Sequence, residues 1–157
     1  MSTDIAEEIG QLLLSRGESL ATAESCTGGL IAHRLTEVAG SSAYFRGGVV
    51  AYANELKERL LDVSPADLVA HGAVSEPVAA QMAEGVRRRL SADWGIGVTG
   101  VAGPSGGSPE KPVGTVYVAV AGPEAVSVKR FQFEGDRSAI KAQTAEAALS
   151  LLKGYLK

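Results

Sequence analysis

Apolar and polar positions along the chain follow two periods, and these predict strands and helices in alternation. Short apolar or β-branched runs predict five strands, at residues 19–24, 45–53, 94–99, 113–121 and 125–133. Apolar residues repeated at helical spacing lie before, between and after these runs and predict helices. Asp4, Asn54, Ser64 and Asp136 stand where a helix N-cap is expected, and Leu56, Leu60 and Leu61 would form the inner face of the helix after Asn54.

The order of these elements predicts the fold class. Helices and strands alternate early, whereas the last two strands are joined around Gly122-Pro123 as a β-hairpin. In the second hairpin strand the alternation of apolar and polar positions shifts between Val128 and Phe131, which predicts a bulge near Lys129-Arg130. We therefore expect a three-layer α/β/α fold with a mixed, mostly parallel sheet of about five strands.

Composition narrows the class of protein further. A chain of 157 residues with 45% apolar residues fits one domain over 1–157, and a net charge of −3 provides no electrostatic footprint for nucleic acid. Cys26 is the only cysteine and the two histidines are far apart in sequence, so we expect neither a metal site nor a cofactor. With no apolar run of membrane-spanning length and no export signal, we expect a cytoplasmic protein that does not bind membranes.

Ser25 is the first candidate for chemistry, because it lies where a strand passes into a helix. Ligands of open α/β sheets bind in the crevice at such strand ends. We expect the amides of Thr27, Gly28 and Gly29 to be unpaired donors at the helix start, available to an anion or an oxyanion. The alternative is that Ser25 only caps the helix and the glycines only permit packing.

A serine nucleophile needs a base, and the segment from Tyr52 to Lys57 is the strongest source of one. Tyr52 at a strand end and Lys57 in a first helical turn could face the same crevice as Ser25. Burial and a nearby cation such as Arg137 could lower the lysine pKa enough to provide a neutral amine. The alternatives are a solvated Lys57, a serine–histidine–aspartate triad, and Cys26 as nucleophile, although a packed, unreactive Cys26 is favoured.

Small residues after the third strand and cations on the last helix are candidates for substrate binding. Thr99, Gly100 and Gly103 could form a backbone wall against a sugar or a ring, and the ten-residue loop that follows could be either a lid or a plain solvent loop. Arg137 and Lys141 are one helical turn apart, a spacing that suits a phosphate or carboxylate ligand. Ordinary surface charge is the alternative for both.

Four long motifs occur together in a fixed order and resemble one known family. They are Ala23-Glu24-Ser25-Cys26-Thr27-Gly28-Gly29, Val50 to Lys57, Gly72-Ala73-Val74-Ser75-Glu76, and Thr99 to Pro104 through Lys111 to Val116. From about Ile5 to Leu152 the chain resembles the C-terminal domain of the CinA competence- and damage-inducible proteins, which also occurs as a stand-alone nicotinamide-nucleotide amidohydrolase.

The resemblance implies hydrolysis of the carboxamide of nicotinamide mononucleotide without a metal. It implies Ser25 as nucleophile, Lys57 and Tyr52 as its activating partners, Thr99 as a pocket residue and Arg137 as an anion-binding residue. Lys141 stands where many relatives are expected to have arginine. A lysine keeps the positive charge but cannot make the bidentate contact that arginine makes with a phosphate.

The resemblance also implies a homo-oligomer. Longer relatives have a companion N-terminal domain, and we do not expect the activity of that domain here. Two rival hypotheses remain at this point. One is a non-catalytic module that binds a pyridine nucleotide or a phosphate, and the other is a purely structural oligomeric domain.

Overall fold

The structure is a computed structural model, and it describes residues 4–157. The helices are α1 (Ile5–Arg16), α2 (Leu30–Thr36), α3 (Asn54–Leu61), α4 (Pro65–His71), α5 (Glu76–Arg89) and α6 (Arg137–Leu156), with a 3-10 turn at Ser41–Ala43. The strands are β1 (Leu20–Glu24), β2 (Phe45–Val50), β3 (Trp94–Gly100), β4 (Thr115–Ala121) and β5 (Val126–Gln132). That one domain spans residues 1–157 stays a prediction, since residues 1–3 lie outside the described part.

The five strands form one mixed sheet in the order β2-β1-β3-β4-β5, as the alternation of elements predicts. The strands β2, β1 and β3 run parallel, and β4 and β5 add the antiparallel hairpin. In β1, Glu24 pairs with Val50 on one side and with Val98 on the other. The three parallel strands therefore end at nearly the same level, and the chain segments that leave them meet at one edge of the sheet.

Helices cover both faces of this sheet and complete the three-layer α/β/α fold. The helices α1, α2 and α6 pack together on one face, and α3, α4 and α5 pack on the other. Strand alternation separates the two cores within β1, since Leu20 belongs to the α1/α6 core and Ala21 to the α5 core. The face toward α5 is lined by small residues, so that α5 lies very close to β3. A Cβ added at Gly97 would lie 2.5 Å from the amide nitrogen of Ala83.

Three of the four predicted N-caps are confirmed by their hydrogen bonds. Asp4, Ser64 and Asp136 each accept a bond from a backbone amide in the first turn of α1, α4 and α6. Asn54 is the exception. It is the first residue of α3, and Ala53 occupies the cap position without a side-chain capping bond.

Other local predictions were wrong for tertiary reasons. Leu60 was expected on the inner face of α3 but is 42% exposed, whereas Leu61 is fully buried. The predicted bulge is absent, because β5 pairs with β4 in continuous register through Lys129 and Arg130. Val128 packs on the α5 side and Phe131 on the α6 side. The shift in the apolar pattern of β5 therefore arises because this edge strand carries apolar residues on both faces of the sheet.

The end of β2 also differs from its prediction, with a consequence for the site. The strand ends at Val50 and not at Ala53. The Ala51 amide still donates to the Glu24 carbonyl at 2.9 Å, after which the chain turns into α3. The carbonyl groups of Ala51 and Tyr52 consequently face a side chain instead of a neighbouring strand.

Candidate active site

The edge of the sheet where the parallel strands end carries a cavity of about 210 Å³. Ser25 follows β1, Tyr52 follows β2, and Thr99 and Gly100 close β3. Such a crevice at the carboxyl ends of strands is where α/β sheets bind ligands. The lining residues are Ser25, Cys26, Tyr52, Asn54, Lys57, Ala73, Val74, Thr99, Gly100, Ala102 and Arg137. Larger clefts occur elsewhere on the surface, but neither Ser25 nor Lys57 lines them.

The structure brings Ser25 and Lys57 into contact across this cavity. Lys57 Nζ lies 3.1 Å from Ser25 Oγ, 2.8 Å from the carbonyl oxygen of Ala51 and 3.1 Å from that of Tyr52. Lys57 is 1% exposed, although it lies in the first turn of a helix whose other residues are mostly solvent-facing. The alternative of a solvated surface lysine is therefore wrong.

The surroundings of Lys57 favour a neutral amine. Burial lowers the pKa of Lys57 below its ordinary value, because charged ammonium is poorly solvated in the interior. No hydrogen bond or ion pair described within residues 4–157 joins Lys57 to a carboxylate. A neutral amine has two N–H groups, which the carbonyls of Ala51 and Tyr52 can accept, and one lone pair. That lone pair is then available to accept the hydroxyl proton of Ser25.

Tyr52 does not stand where a direct activating partner is expected. Tyr52 is 59% exposed, and its phenol oxygen accepts a hydrogen bond from Arg137 at 2.9 Å. Arg137 also donates to the Gly103 carbonyl at 2.7 Å. The contact of Tyr52 with Lys57 is made by its backbone carbonyl. Arg137 thus connects the segments that follow β2 and β3, and burial, not Arg137, is the main cause of the lowered Lys57 pKa.

Glu24 is a residue of this region that the sequence argument missed. Its carboxylate Oε1 accepts hydrogen bonds from the Thr27 hydroxyl at 2.6 Å and from the amides of Gly29 and Ile31 at 3.2 and 2.9 Å. The other oxygen accepts from the Ala32 amide at 3.0 Å. An acidic residue in a wholly buried strand, followed three residues later by a threonine and then by a helix, was the signal available.

The amides expected to be unpaired at the start of α2 are therefore mostly occupied. The Gly28 amide donates to the Ser25 carbonyl at 3.1 Å, and the Gly29 amide donates to Glu24. The expectation that these two glycine amides are free was wrong, because a buried carboxylate supplied by the preceding strand caps the helix. Among the described residues, the amides of Cys26 and Thr27 donate no backbone–backbone hydrogen bond.

Cys26 lines the cavity but is not poised as a nucleophile. It is buried, and desolvation raises the pKa of its thiol to about 12. The thiolate, which is the reactive form, is therefore scarce at neutral pH. A packed, unreactive Cys26 agrees with this environment. Neither histidine lines the cavity, which removes the histidine-containing triad from this site.

The remaining candidate residues surround the cavity in different ways. Thr99 is buried and donates its hydroxyl proton to the Ala73 carbonyl at 2.9 Å, which holds the segment before α5 against β3. Lys141 does not line the cavity, but its Nζ lies 3.7 Å from the position of a Cβ at Gly28. Asn54, Ala73 and Val74 also line the cavity and were not predicted as lining residues from the sequence.

The ten-residue loop from Gly103 to Pro112 is tied to its surroundings at its far end. Lys111 Nζ donates to the His71 carbonyl at 2.5 Å, and Arg130 donates to the Glu110 carbonyl at 2.9 Å. These contacts connect the loop to the end of α4 and to β5. Ala102, which directly precedes the loop, lines the cavity, but no residue of the loop does, which favours the plain solvent loop over a lid.

Within residues 4–157, no group of three or more histidine, cysteine, aspartate or glutamate side chains could hold a metal ion. In the same range, no helix is long and apolar enough to cross a lipid bilayer.

The fold and the site define a class: a three-layer α/β domain in which a serine contacts a buried lysine at the carboxyl ends of the parallel strands. A model of the CinA C-terminal domain matches residues 2–156. A CinA-like protein of Anaeromyxobacter dehalogenans (strain 2CP-C) is 57% identical over 145 residues, which are 92% of this chain and 36% of that relative. The chain belongs to the CinA C-terminal domain family.

Solved structures agree with this assignment. A competence/damage inducible protein, CihA, from Agrobacterium tumefaciens is 40% identical with a TM-score of 0.92, and the match covers 100% of both chains. Competence damage-inducible protein A from Klebsiella pneumoniae is 38% identical with a TM-score of 0.94, and the match covers 97% of this chain and 94% of that one. The chain spans little more than a third of the length of the curated relatives, between 34% and 38% for those compared.

Proposed function

We propose that this chain is an amidohydrolase that converts nicotinamide mononucleotide to nicotinic acid mononucleotide and ammonia. The resemblance to the stand-alone amidohydrolases of the family suggests the substrate. One observation carries the chemistry: a buried lysine nitrogen lies 3.1 Å from the Ser25 hydroxyl oxygen. A pair of this kind provides both a nucleophile and the base that activates it.

The reaction follows from this pair in two halves. Ser25 Oγ attacks the carboxamide carbon while its proton passes to Lys57, and a tetrahedral intermediate forms. Lys57 then gives the proton to the departing nitrogen, so that ammonia leaves and an acyl ester remains on Ser25. Water attacks the ester and gives its proton to Lys57, which returns a proton to Ser25 Oγ as the acid is released.

The oxyanion of the intermediate needs preorganised donors. We assign this role to the amides of Cys26 and Thr27, because among residues 4–157 neither donates a hydrogen bond to a backbone carbonyl, whereas the amides of Gly28 and Gly29 are already bonded. Both amides belong to the same turn as the nucleophile. Of the three amides expected from the sequence, this assignment keeps that of Thr27 and replaces those of Gly28 and Gly29 by that of Cys26.

The phosphate of the substrate requires cationic groups at the rim of the cavity. Arg137 lines the cavity, and no ion pair within the described residues includes Lys141. We propose that these two side chains receive the phosphate, with Tyr52 holding Arg137 through its phenol oxygen. Thr99 and Gly100 would then form the wall at the end of β3, and Tyr52 acts in binding and not as the base.

The test is ammonia release from nicotinamide mononucleotide, with the product followed by mass spectrometry. Wild type should turn the substrate over, Ser25→Ala should not, and Ser150→Ala, an exposed serine on α6, should behave as wild type. Saturable binding without product in the wild type would refute the proposal in favour of a non-catalytic binding module. The homo-oligomer stays a prediction that sedimentation velocity would check.

A further inference from the structure

Glu24 is a buried ionisable residue that the proposed reaction leaves without a role. It is 1% exposed and lines no part of the active-site cavity. Both of its carboxyl oxygens act as acceptors, for the Thr27 hydroxyl and for three amides at the start of α2. A buried carboxylate persists only with such partners, and this one binds the turn that carries the nucleophile.

The backbone of Glu24 connects the same turn to the base. Glu24 lies between Val50 and Val98 in the sheet, and its carbonyl accepts from the amide of Ala51. The carbonyl of Ala51 in turn accepts from Lys57. One residue therefore holds the nucleophile turn through its side chain and the lysine's acceptor through its main chain.

We propose that Glu24 is a positioning residue: its carboxylate fixes the turn at residues 25–29 so that Ser25 Oγ stays within reach of Lys57. This inference rests on the proposed function for its catalytic consequence. It also has a consequence for binding. Because the carboxylate already occupies donors at the start of α2, the side chains of Arg137 and Lys141 receive the substrate phosphate, and the amides bonded to Glu24 do not.

The variant that tests this role is Glu24→Gln. Glutamine has nearly the same shape, but one acceptor oxygen becomes an N–H₂ donor that faces backbone amides, so at least one of the four bonds is lost. The matched control is Glu18→Gln. Glu18 accepts side-chain hydrogen bonds from Arg16 and Trp94 at the opposite end of β3, away from the cavity.

Three measurements separate positioning from a merely structural role. Hydrogen exchange of a peptide covering residues 26–33 should accelerate by about tenfold or more in Glu24→Gln. The rate at which a fluorophosphonate labels Ser25 and the kcat for the amide should each fall by about tenfold or more, with KM within about twofold. The Glu18→Gln control should match wild type in all three measurements.

The outcomes distinguish this inference from the proposed function. Unchanged exchange at residues 26–33 overturns the role of Glu24, whatever the substrate. A lower melting temperature with unchanged labelling and kcat also overturns it, since the residue would then only stabilise the fold. Labelling of Ser25 that depends on Glu24 without turnover of any carboxamide leaves the positioning role standing and overturns the proposed reaction.

A second variant covers the case in which Glu24→Gln does not fold. Thr27→Val keeps the side-chain volume and removes the hydroxyl that donates to Glu24 at 2.6 Å. It should produce smaller changes in the same direction, in both labelling and kcat. Wild-type labelling and kcat in a folded Thr27→Val variant, together with a Glu24→Gln variant that does not fold, would count against the positioning role.

Discussion

Replacing Lys57 by methionine tests the chemistry most directly. Methionine keeps an unbranched chain of similar volume in a position that is 1% exposed, but it cannot accept a proton. The variant should therefore fold, while the Ser25 hydroxyl loses the only nitrogen base within hydrogen-bond distance among the described residues.

The expected loss of rate in Lys57→Met depends on how much of the Lys57 side chain is neutral and able to accept a proton. At an ordinary pKa near 10.4, only about 0.04% of the side chain is neutral at pH 7, and each unit of lowering raises this fraction roughly tenfold. Burial lowers the pKa of Lys57, so a larger share is ready to accept the proton. Removal of a general base costs roughly 10²–10⁴ in rate, or about 3–5 kcal/mol of transition-state stabilisation.

The assay is ammonia release from nicotinamide mononucleotide as a function of pH. In wild type, kcat/KM should rise with pH along a limb centred below the ordinary pKa of lysine, and the residual activity of Lys57→Met should lack that limb. Lys153→Met, which removes a lysine paired with Glu8 on the α1/α6 side, is the control and should keep the wild-type profile. A Lys57→Met enzyme within tenfold of wild type, or one that keeps the same pH limb, would refute the assignment of Lys57 as the base.

Further predictions concern stability and thiol reactivity. Because burial lowers the folded pKa of Lys57 below its unfolded value, the unfolded state binds more protons between the two values. The free energy of unfolding from urea titrations should therefore rise with pH in that window, and Lys57→Met should lack the rise. Cys26 should resist iodoacetamide at neutral pH in the native state and react readily in urea, since burial raises its pKa to about 12; fast native alkylation would contradict this. Gly97→Ala should lower the free energy of unfolding by about 1–3 kcal/mol or more, because the added Cβ would lie 2.5 Å from the amide nitrogen of Ala83. Gly154→Ala should raise it by about 0.5–1 kcal/mol, because no atom lies within 4 Å of its added Cβ. Equal melting temperatures of the two variants would refute the close packing of α5 on β3.

The glutamate that caps α2 changes how the start of this helix should be understood. A glycine-rich turn between a strand and a helix often binds an anion of the substrate. Here Glu24 of the protein itself occupies that place through its carboxylate. Relatives with the same motif can be examined for whether an acidic residue ends the strand before the nucleophile, since that residue decides which amides remain for catalysis.

Local signals in the chain were sufficient for most of the fold. An N-cap depends on a side chain and an amide two or three residues apart, so Asp4, Ser64 and Asp136 could be assigned from their neighbours. The hairpin and the alternation of helices with strands are equally local. Ser25 and Lys57 were found in the same way, as polar residues next to strand ends, and their meeting in one crevice follows from the parallel order of the strands.

Other features depend on contacts between segments distant in sequence. The burial of Lys57 requires the carbonyls at the end of β2, and the role of Tyr52 requires Arg137, which lies 85 residues further along the chain. Whether Leu60 or Leu61 faces the core depends on where α5 lies. A backbone amide such as that of Gly29 is free only if no acceptor from another segment bonds to it. The periodicity of apolar and polar positions does not contain that information. The residue types thus define which chemistry is available, whereas the packing of the strands and helices decides which atoms can perform it.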